Sequence, residues 1–230
     1  MNSTQQRNFK KTGLILALLL IFSTSADAQK KKMVPLFNGK NLNGWSKYLG
    51  KSGLNNDPKQ VISVKNKEIH VSGEEFGYIA TEKSYENFRL LLEFKWGEKK
   101  YPPREKDKRD AGICFHIEDK DKIWPKSAEF QIQEGDVGDL WLIGNVTAHV
   151  DGEQTKPKDF ARVIKKKDAE LPNGKWNKLE LISQTGSFKF IVNGVVVNEG
   201  EKLSVTKGRI LLQSEGAELF YRNIKIEELD

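Results

Sequence analysis

Cysteine is almost missing from this sequence. Cys114 stands alone among 230 residues, so no intrachain disulfide can form and the core must hold the fold unaided. Helical periodicity is absent after the first thirty or so positions, and no internal repeat or low-complexity tract appears, which excludes bundles, solenoids and coiled coils. A dominant charge is lacking too: 38 Lys and Arg face 32 Asp and Glu. Three lysine-bearing runs, Lys30 to Lys32, Glu98 to Asp110 and Lys165 to Lys167, are short or mixed with acids. None interleaves the aromatics on which a single-strand binder stacks bases, so they read as solvated surface and nucleic acid is not an expected partner.

The one long apolar run lies at the start. Arg7, Lys10 and Lys11 precede the apolar Leu14 to Phe22, and Ala26-Asp27-Ala28 follows as an A-x-A cleavage pattern. Residues 1–28 are therefore expected to be a signal peptide. The run is too short to span a bilayer, and no cysteine follows it to carry a lipid. The expectation is a periplasmic or secreted protein with no membrane anchor after cleavage. Its mature part, 29–230, keeps 35 basic and 31 acidic residues. At that length it can bury about 70% of its unfolded surface, enough for a single domain.

What is present is a succession of short strands. Val61 to Val64 and Glu68 to Val71 flank Lys65-Asn66-Lys67, a hairpin signal. Phe76 to Thr81, Phe88 to Trp96, Ala111 to Glu118, Leu140 to Ile143 and Asn145 to Val150 follow, with Phe160 to Ile164 as a further candidate. Trp176 to Ser183 and Ser187 to Val192 are joined by Gln184-Thr185-Gly186. Asn193-Gly194 then makes a two-residue hairpin into Val195 to Asn198. Gly208 to Ser214 and Glu218 to Glu227 close the chain. Many short strands spaced by turn residues predict an all-β fold, an antiparallel β-sandwich of jelly-roll type.

Two strands carry polar residues on one side. Successive side chains of a strand point to opposite faces, so Glu129, Gln131 and Gln133 share one face while Phe130 and Ile132 share the other. Burying that polar row without partners is costly, so it is expected to line a wet cleft or hold a polar ligand. In Ala111 to Glu118 the same alternation sets Cys114, His116 and Glu118 opposite Ile113, Phe115 and Ile117. If the strands are neighbours, His116 shares a hollow with Glu129 and Gln131. Beyond lies an acidic turn, Glu134, Asp136 and Asp139 with Gly135 and Gly138, a candidate site for Ca²⁺ or another hard cation. Gly97 to Asp110, broken by Pro102-Pro103, reads as a polar loop at the rim of the site.

Phe37-Asn38-Gly39-Lys40, Gly44-Trp45, Ala111-Gly112-Ile113-x-Phe115, Glu129-x-Gln131, Trp176-Asn177, Asn193-Gly194, Gly208-x-Ile210-x-Leu212-Gln213 and Arg222-Asn223-Ile224 occur in that order. In this arrangement the chain resembles the 3-keto-disaccharide hydrolase domain family over Leu36 to Leu229. The resemblance implies a concanavalin A-like, glucanase-type jelly roll, export, and cleavage of glycosides already oxidised at carbon 3. Where that family has Asn-Ser-Gly with an arginine four residues on, this chain has Asp110-Ala111-Gly112 and His116.

A ketone at carbon 3 acidifies the proton on carbon 2; its loss expels the group on carbon 1, and water can then add. Such chemistry needs a base, a stabiliser for the enolate oxygen and an acid for the leaving oxygen. Glu129, His116, His149 and Glu134 are the candidate acids and bases, Glu129 and His116 the favoured pair. Gln131 and Gln133 would bind sugar hydroxyls, and Trp141 would offer a stacking face. Plainer readings stand beside these: Glu129 as a carboxylate on a solvated sheet face, His116 as a structural histidine. Two other functions also stand: a non-catalytic, lectin-like carbohydrate-binding module, and an ordinary two-carboxylate glycoside hydrolase in which a bulge brings Glu129 and Glu134 together.

Overall fold

A computed structural model describes Met1, residues 32–118 and residues 120–230. The expected signal peptide, 1–28, lies outside the described residues apart from Met1. The described residues contain no α-helix. Their strands are β1 Val34–Pro35, β2 Trp45–Leu49, β3 Gly53–Leu54, β4 Ile62–Lys65, β5 Glu68–Val71, β6 Gly77–Thr81, β7 Phe88–Lys100, β8 Gly112–Ile117 and β9 Ser127–Gln131. After these come β10 Leu140–Ile143, β11 His149–Val150, β12 Glu153–Gln154, β13 Phe160–Val163, β14 Asn177–Gln184, β15 Ser187–Val192, β16 Val195–Gly200, β17 Arg209–Ser214 and β18 Ala217–Glu228.

The strands form two antiparallel sheets. One runs β16-β15-β14-β7-β18-β5-β4 with β1 added beside β18, and the other runs β13-β10-β9-β8-β17-β6-β2-β3. β17 comes late in the chain, yet it lies between β8 and β6. Such long-range insertions are how a jelly roll differs from a simple meander. The hairpins fall where the sequence puts them: Asn66-Lys67 and Asn193-Gly194 each have two positive φ values, 52° and 65° for the first and 50° and 84° for the second. This backbone matches the type I′ turn, whose twist suits two flanking strands. Two expectations fail at their ends. β7 continues through Lys100 rather than stopping at Trp96, because it stays paired with β18 as far as Ala217, and of Asn145 to Val150 only His149–Val150 is a strand.

The sheets face each other over an apolar core. Phe130 of β9 stacks on Phe190 of β15, with ring centroids 4.3 Å apart, while Phe88 and Phe115 meet edge to face. The outer faces differ. In the first sheet β7 alternates buried and half-buried residues, and its wet side carries ion pairs such as Arg89 to Glu180 and Arg222 to Glu93. In the second sheet every residue of β6, β8 and β9 is buried. Its outer face holds a second apolar cluster around Tyr78, Cys114, Ile143 and Leu211. Polar groups on that face are therefore covered rather than solvated, and they need partners.

Candidate active site

The register across the second sheet builds a row of side chains. Cys114 of β8 stands opposite Glu129 of β9, Glu129 opposite Trp141 of β10, and Trp141 opposite Arg162 of β13. One step along, Gly112 stands opposite Gln131. Glu129, Gln131, Gln133 and Trp141 all line one cleft of about 390 Å³. The polar row Glu129, Gln131 and Gln133 thus borders one hollow, with Trp141 beside it.

The floor of the cleft is acidic. Glu129 is joined there by Asp110, Glu215 and Gln213, and Arg104 reaches in from the loop after β7. Arg104 pairs with Asp110 and lies 3.5 Å from Glu215, while its guanidinium rests over the ring of Phe76. Gln133 Nε2 donates to Asp110 Oδ2 at 2.9 Å, and the indole N–H of Trp124 donates to Glu215. Trp124 and Phe160, edge to face at 6.2 Å, give the cleft an apolar wall with Trp141. Arg162 lies over the ring of Trp141, 5.9 Å from its centroid.

Gly112 makes this floor possible. A Cβ at that position would lie 1.9 Å from Glu129 Oε1 and 2.5 Å from Gln213 Oε1, so only a bare Cα leaves the carboxyl and the amide room to lie across the strand.

Burial governs the titration of the cluster. Desolvation pushes the carboxyl of Glu129 well above its ordinary value, and the nearby charges of Glu215 and Asp110 push it the same way. Glu215 is raised to about 7, again by burial first and then by Asp110. Asp110 is raised by burial against the lowering pull of Arg104. The Cys114 thiol, fully buried beside Glu129, is also driven up by desolvation and cannot act as a thiolate near neutral pH. Two carboxyls in one water-poor site with displaced titrations can divide the roles of proton donor and proton acceptor.

The other candidates lie elsewhere. His116 does not share the hollow. β8 carries an extra residue against β17, since Ile117 stands opposite Arg209 but Cys114 opposite Leu211, and His116 sits at that bulge with φ 62°. The bulge breaks the alternation and turns the imidazole inward between the sheets, where Nε2 lies 2.7 Å from Ser183 Oγ on β14 and the ring meets Phe88 and Phe115. Burial lowers its pKa to about 4, so it is a neutral core histidine. His149 lines a different, larger and open groove of about 630 Å³ with Lys189 and Glu199.

The acidic turn is likewise not a cation cage. Glu134 pairs with Arg109 at 3.1 Å, Asp136 with Lys108 at 3.0 Å and Arg162 at 3.1 Å, and Asp139 with Arg162 and the Lys165 backbone N–H. Each carboxylate already has its counter-charge, and among the described residues no group of His, Cys, Asp and Glu converges as a metal site. Glu134 accordingly does not pair with Glu129. The carboxyls that do join Glu129 on the floor are Asp110 and Glu215; strand alternation does not reveal Glu215, because it follows β17, a strand paired with a distant part of the chain. Arg104 lies in the polar loop that the sequence places at the rim, whereas Trp124, in the segment before β9, and Phe160, on β13, carry no local pattern that points to the cleft.

Such a sandwich with a cleft across one sheet belongs to the jelly-roll class of the glucanases and galectin-like proteins. A candidate glycosyl hydrolase of Parabacteroides distasonis is similar over 86% of this chain and 94% of its own, at 20% identity and a TM-score of 0.61. A carbohydrate-binding module of Bacillus subtilis is similar over 80% of this chain and 96% of its own, at 14% identity and a TM-score of 0.56. The β-glucanase of Bacillus licheniformis is similar over 88% of this chain and 100% of its own, at 12% identity and a TM-score of 0.55. At these identities the likeness establishes the fold alone. No curated protein sequence matches the chain. The family model for the 3-keto-α-glucoside-1,2-lyase-like domain matches residues 32–227, and the chain belongs to that family.

Proposed function

We propose that this protein is an enzyme that cleaves glycosides oxidised at carbon 3, by removing the proton on carbon 2. The observation that carries this reading is the pair Glu129 and Glu215, two buried carboxyls with raised pKa values on the floor of one aromatic-walled cleft. Glu215, poised near 7, is the proton acceptor; a base titrating close to the working pH is both available and strong enough to abstract an acidified proton. Glu129, held protonated by burial, is the donor. The C2–H bond breaks toward Glu215, the electron pair passes through the enolate, and the C1–O bond breaks as its oxygen takes the proton of Glu129. Addition of water to the resulting unsaturated ketone makes the net change a hydrolysis. Arg104, held by Asp110 and Glu215, supplies the fixed positive charge nearest the developing enolate. Gln131 and Gln133 orient sugar hydroxyls, and Trp141, Trp124 and Phe160 exclude water.

The test compares a 3-keto-glucoside with the same glucoside unoxidised. Release of the aglycone from the oxidised sugar alone is the expected result, rising with pH through about 7 as Glu215 loses its proton. Glu129→Gln and Glu215→Gln are each expected to lower kcat by about 100-fold or more, the usual contribution of a general acid or base. Binding of both sugars without turnover would instead give a carbohydrate-binding module, the reading favoured by the aromatic walls taken alone. Near-normal rates in both variants would remove the carboxyls from the chemistry.

A further inference from the structure

The charged residues that line the cleft are three acids, Asp110, Glu129 and Glu215, and a single base, Arg104. That base is already engaged, with its guanidinium paired to Asp110 and Glu215. Two further oxygens on the floor have no hydrogen-bond partner although they are buried: Asp110 Oδ1 and Gln213 Oε1, on residues only 6% and 1% exposed. These two oxygens are themselves shut off from solvent, but the residues that carry them line the hollow together with Glu129 and Glu215, so its floor is rich in acceptors. A sugar ring presents hydroxyl groups that can donate to acceptors, whereas a carboxylate or sulfate brings only more acceptors and a second negative charge.

From this we infer that the cleft selects glycosides without negative charge, and that it rejects sugars bearing a uronate or sulfate. The inference rests on the proposed function for its substrate, but on the charge and acceptor pattern of the cleft for its selectivity. The position of the anionic group on the ring matters little. In a hollow of about 390 Å³ any substituent of a bound hexose lies within about one Debye length, 8 Å at physiological ionic strength, of the acids on the floor.

Two measurements separate the inference from the reading beneath it. In the first, carried out at pH 8 and low salt, a 3-keto-glucoside and the matching 3-keto-glucuronide with the same aglycone are compared as substrates of the full mature chain. The neutral sugar is expected to have a kcat/KM about 100-fold higher, the size of a like-charge juxtaposition, and the ratio is expected to shrink as salt is added. Asp110→Asn removes one of the charges and should narrow the ratio further. In the second, binding of unoxidised methyl glucoside and methyl glucuronide is measured by calorimetry, which needs no turnover. Binding of the glucoside alone supports the selectivity even where no aglycone is released, an outcome that would sink the proposed reaction but not this inference. Equal turnover of the two keto sugars, equal binding of the two methyl glycosides, or binding of neither would overturn it.

Discussion

Glu215 carries a burden that neutral substitution removes. Its folded-state pKa, about 7, is raised above the ordinary 4.5, so the native state holds a proton that the unfolded chain has already lost. Below 4.5 both states are protonated and nothing is at stake; as pH rises from 4.5 to 7 stability falls, and above 7 the cost is constant. Glu215→Gln is therefore expected to raise Tm at pH 8, by the equivalent of on the order of 2 kcal/mol, and to have no effect at pH 4. Thermal melts at the two pH values check this, and a variant less stable than the parent at pH 8 would contradict the assignment. His116 has the opposite sign. Its pKa of about 4 lies below the ordinary 6.5, so the stability it lends is complete above 6.5 and is lost as pH falls toward 4. His116→Ala empties a packed core position and breaks the contact to Ser183, so a loss of about 2 kcal/mol is expected, with kcat/KM on the keto sugar close to that of the parent. A collapse of activity in a folded His116 variant would return it to the mechanism.

Strand β8 is the element on which the site turns. Its Gly112 gives Glu129 and Gln213 their space, and its bulge sends His116 the other way. Gly112→Ala meets side-chain oxygens rather than backbone, so the fold should survive while Glu129 is displaced; an unchanged unfolding midpoint with at least about a tenfold loss of kcat is expected. At this scale the sequence was legible where alternation is regular and misleading where it is broken. Glu129 and Gln131 share the face on which a period of two puts them, because β9 pairs with β8 and β10 without a slip. His116 departs from it because the extra residue exists only relative to β17, a partner some ninety residues on, with Gly208 pressed against the His116 and Ile117 backbone. No local pattern encodes that. The acidic turn misled for a similar reason: its carboxylates meet Arg109, Lys108 and Arg162, which come from other segments. Millimolar Ca²⁺ is accordingly expected to leave Tm unchanged, and a saturable rise in Tm would reopen the turn as a cation site.

For the whole molecule, the sandwich itself was foreseeable from short strands, the two Asn-bearing I′ turns and the lack of helical periodicity, whereas strand order was not. Periodicity says which side of a strand is apolar but not which strand lies beside it, and Glu215, Asp110 and Arg104 are brought to Glu129 only by that order. The residues from Lys31 to Asp230 form one compact unit. A chain beginning at Gln29 is expected to unfold in a single cooperative transition, and if residues 1–28 are removed as a signal, N-terminal sequencing of the protein recovered from its native cells should begin at Gln29. Two resolved transitions, or an intact leader in the recovered protein, would count against those expectations.

The lodging of β17 in the middle of its sheet also bears on biosynthesis. With Gln213 on this strand and Glu215 just after it, the floor cannot close until almost the last residues have left the ribosome. A chain still short of Arg209 has Glu129 but not the Glu215 that joins it on the floor, and it has no neighbour along the open edges of β8 and β6. Premature termination before Arg209 would thus yield a polypeptide that lacks the floor of its cleft and leaves two strand edges open to aggregation.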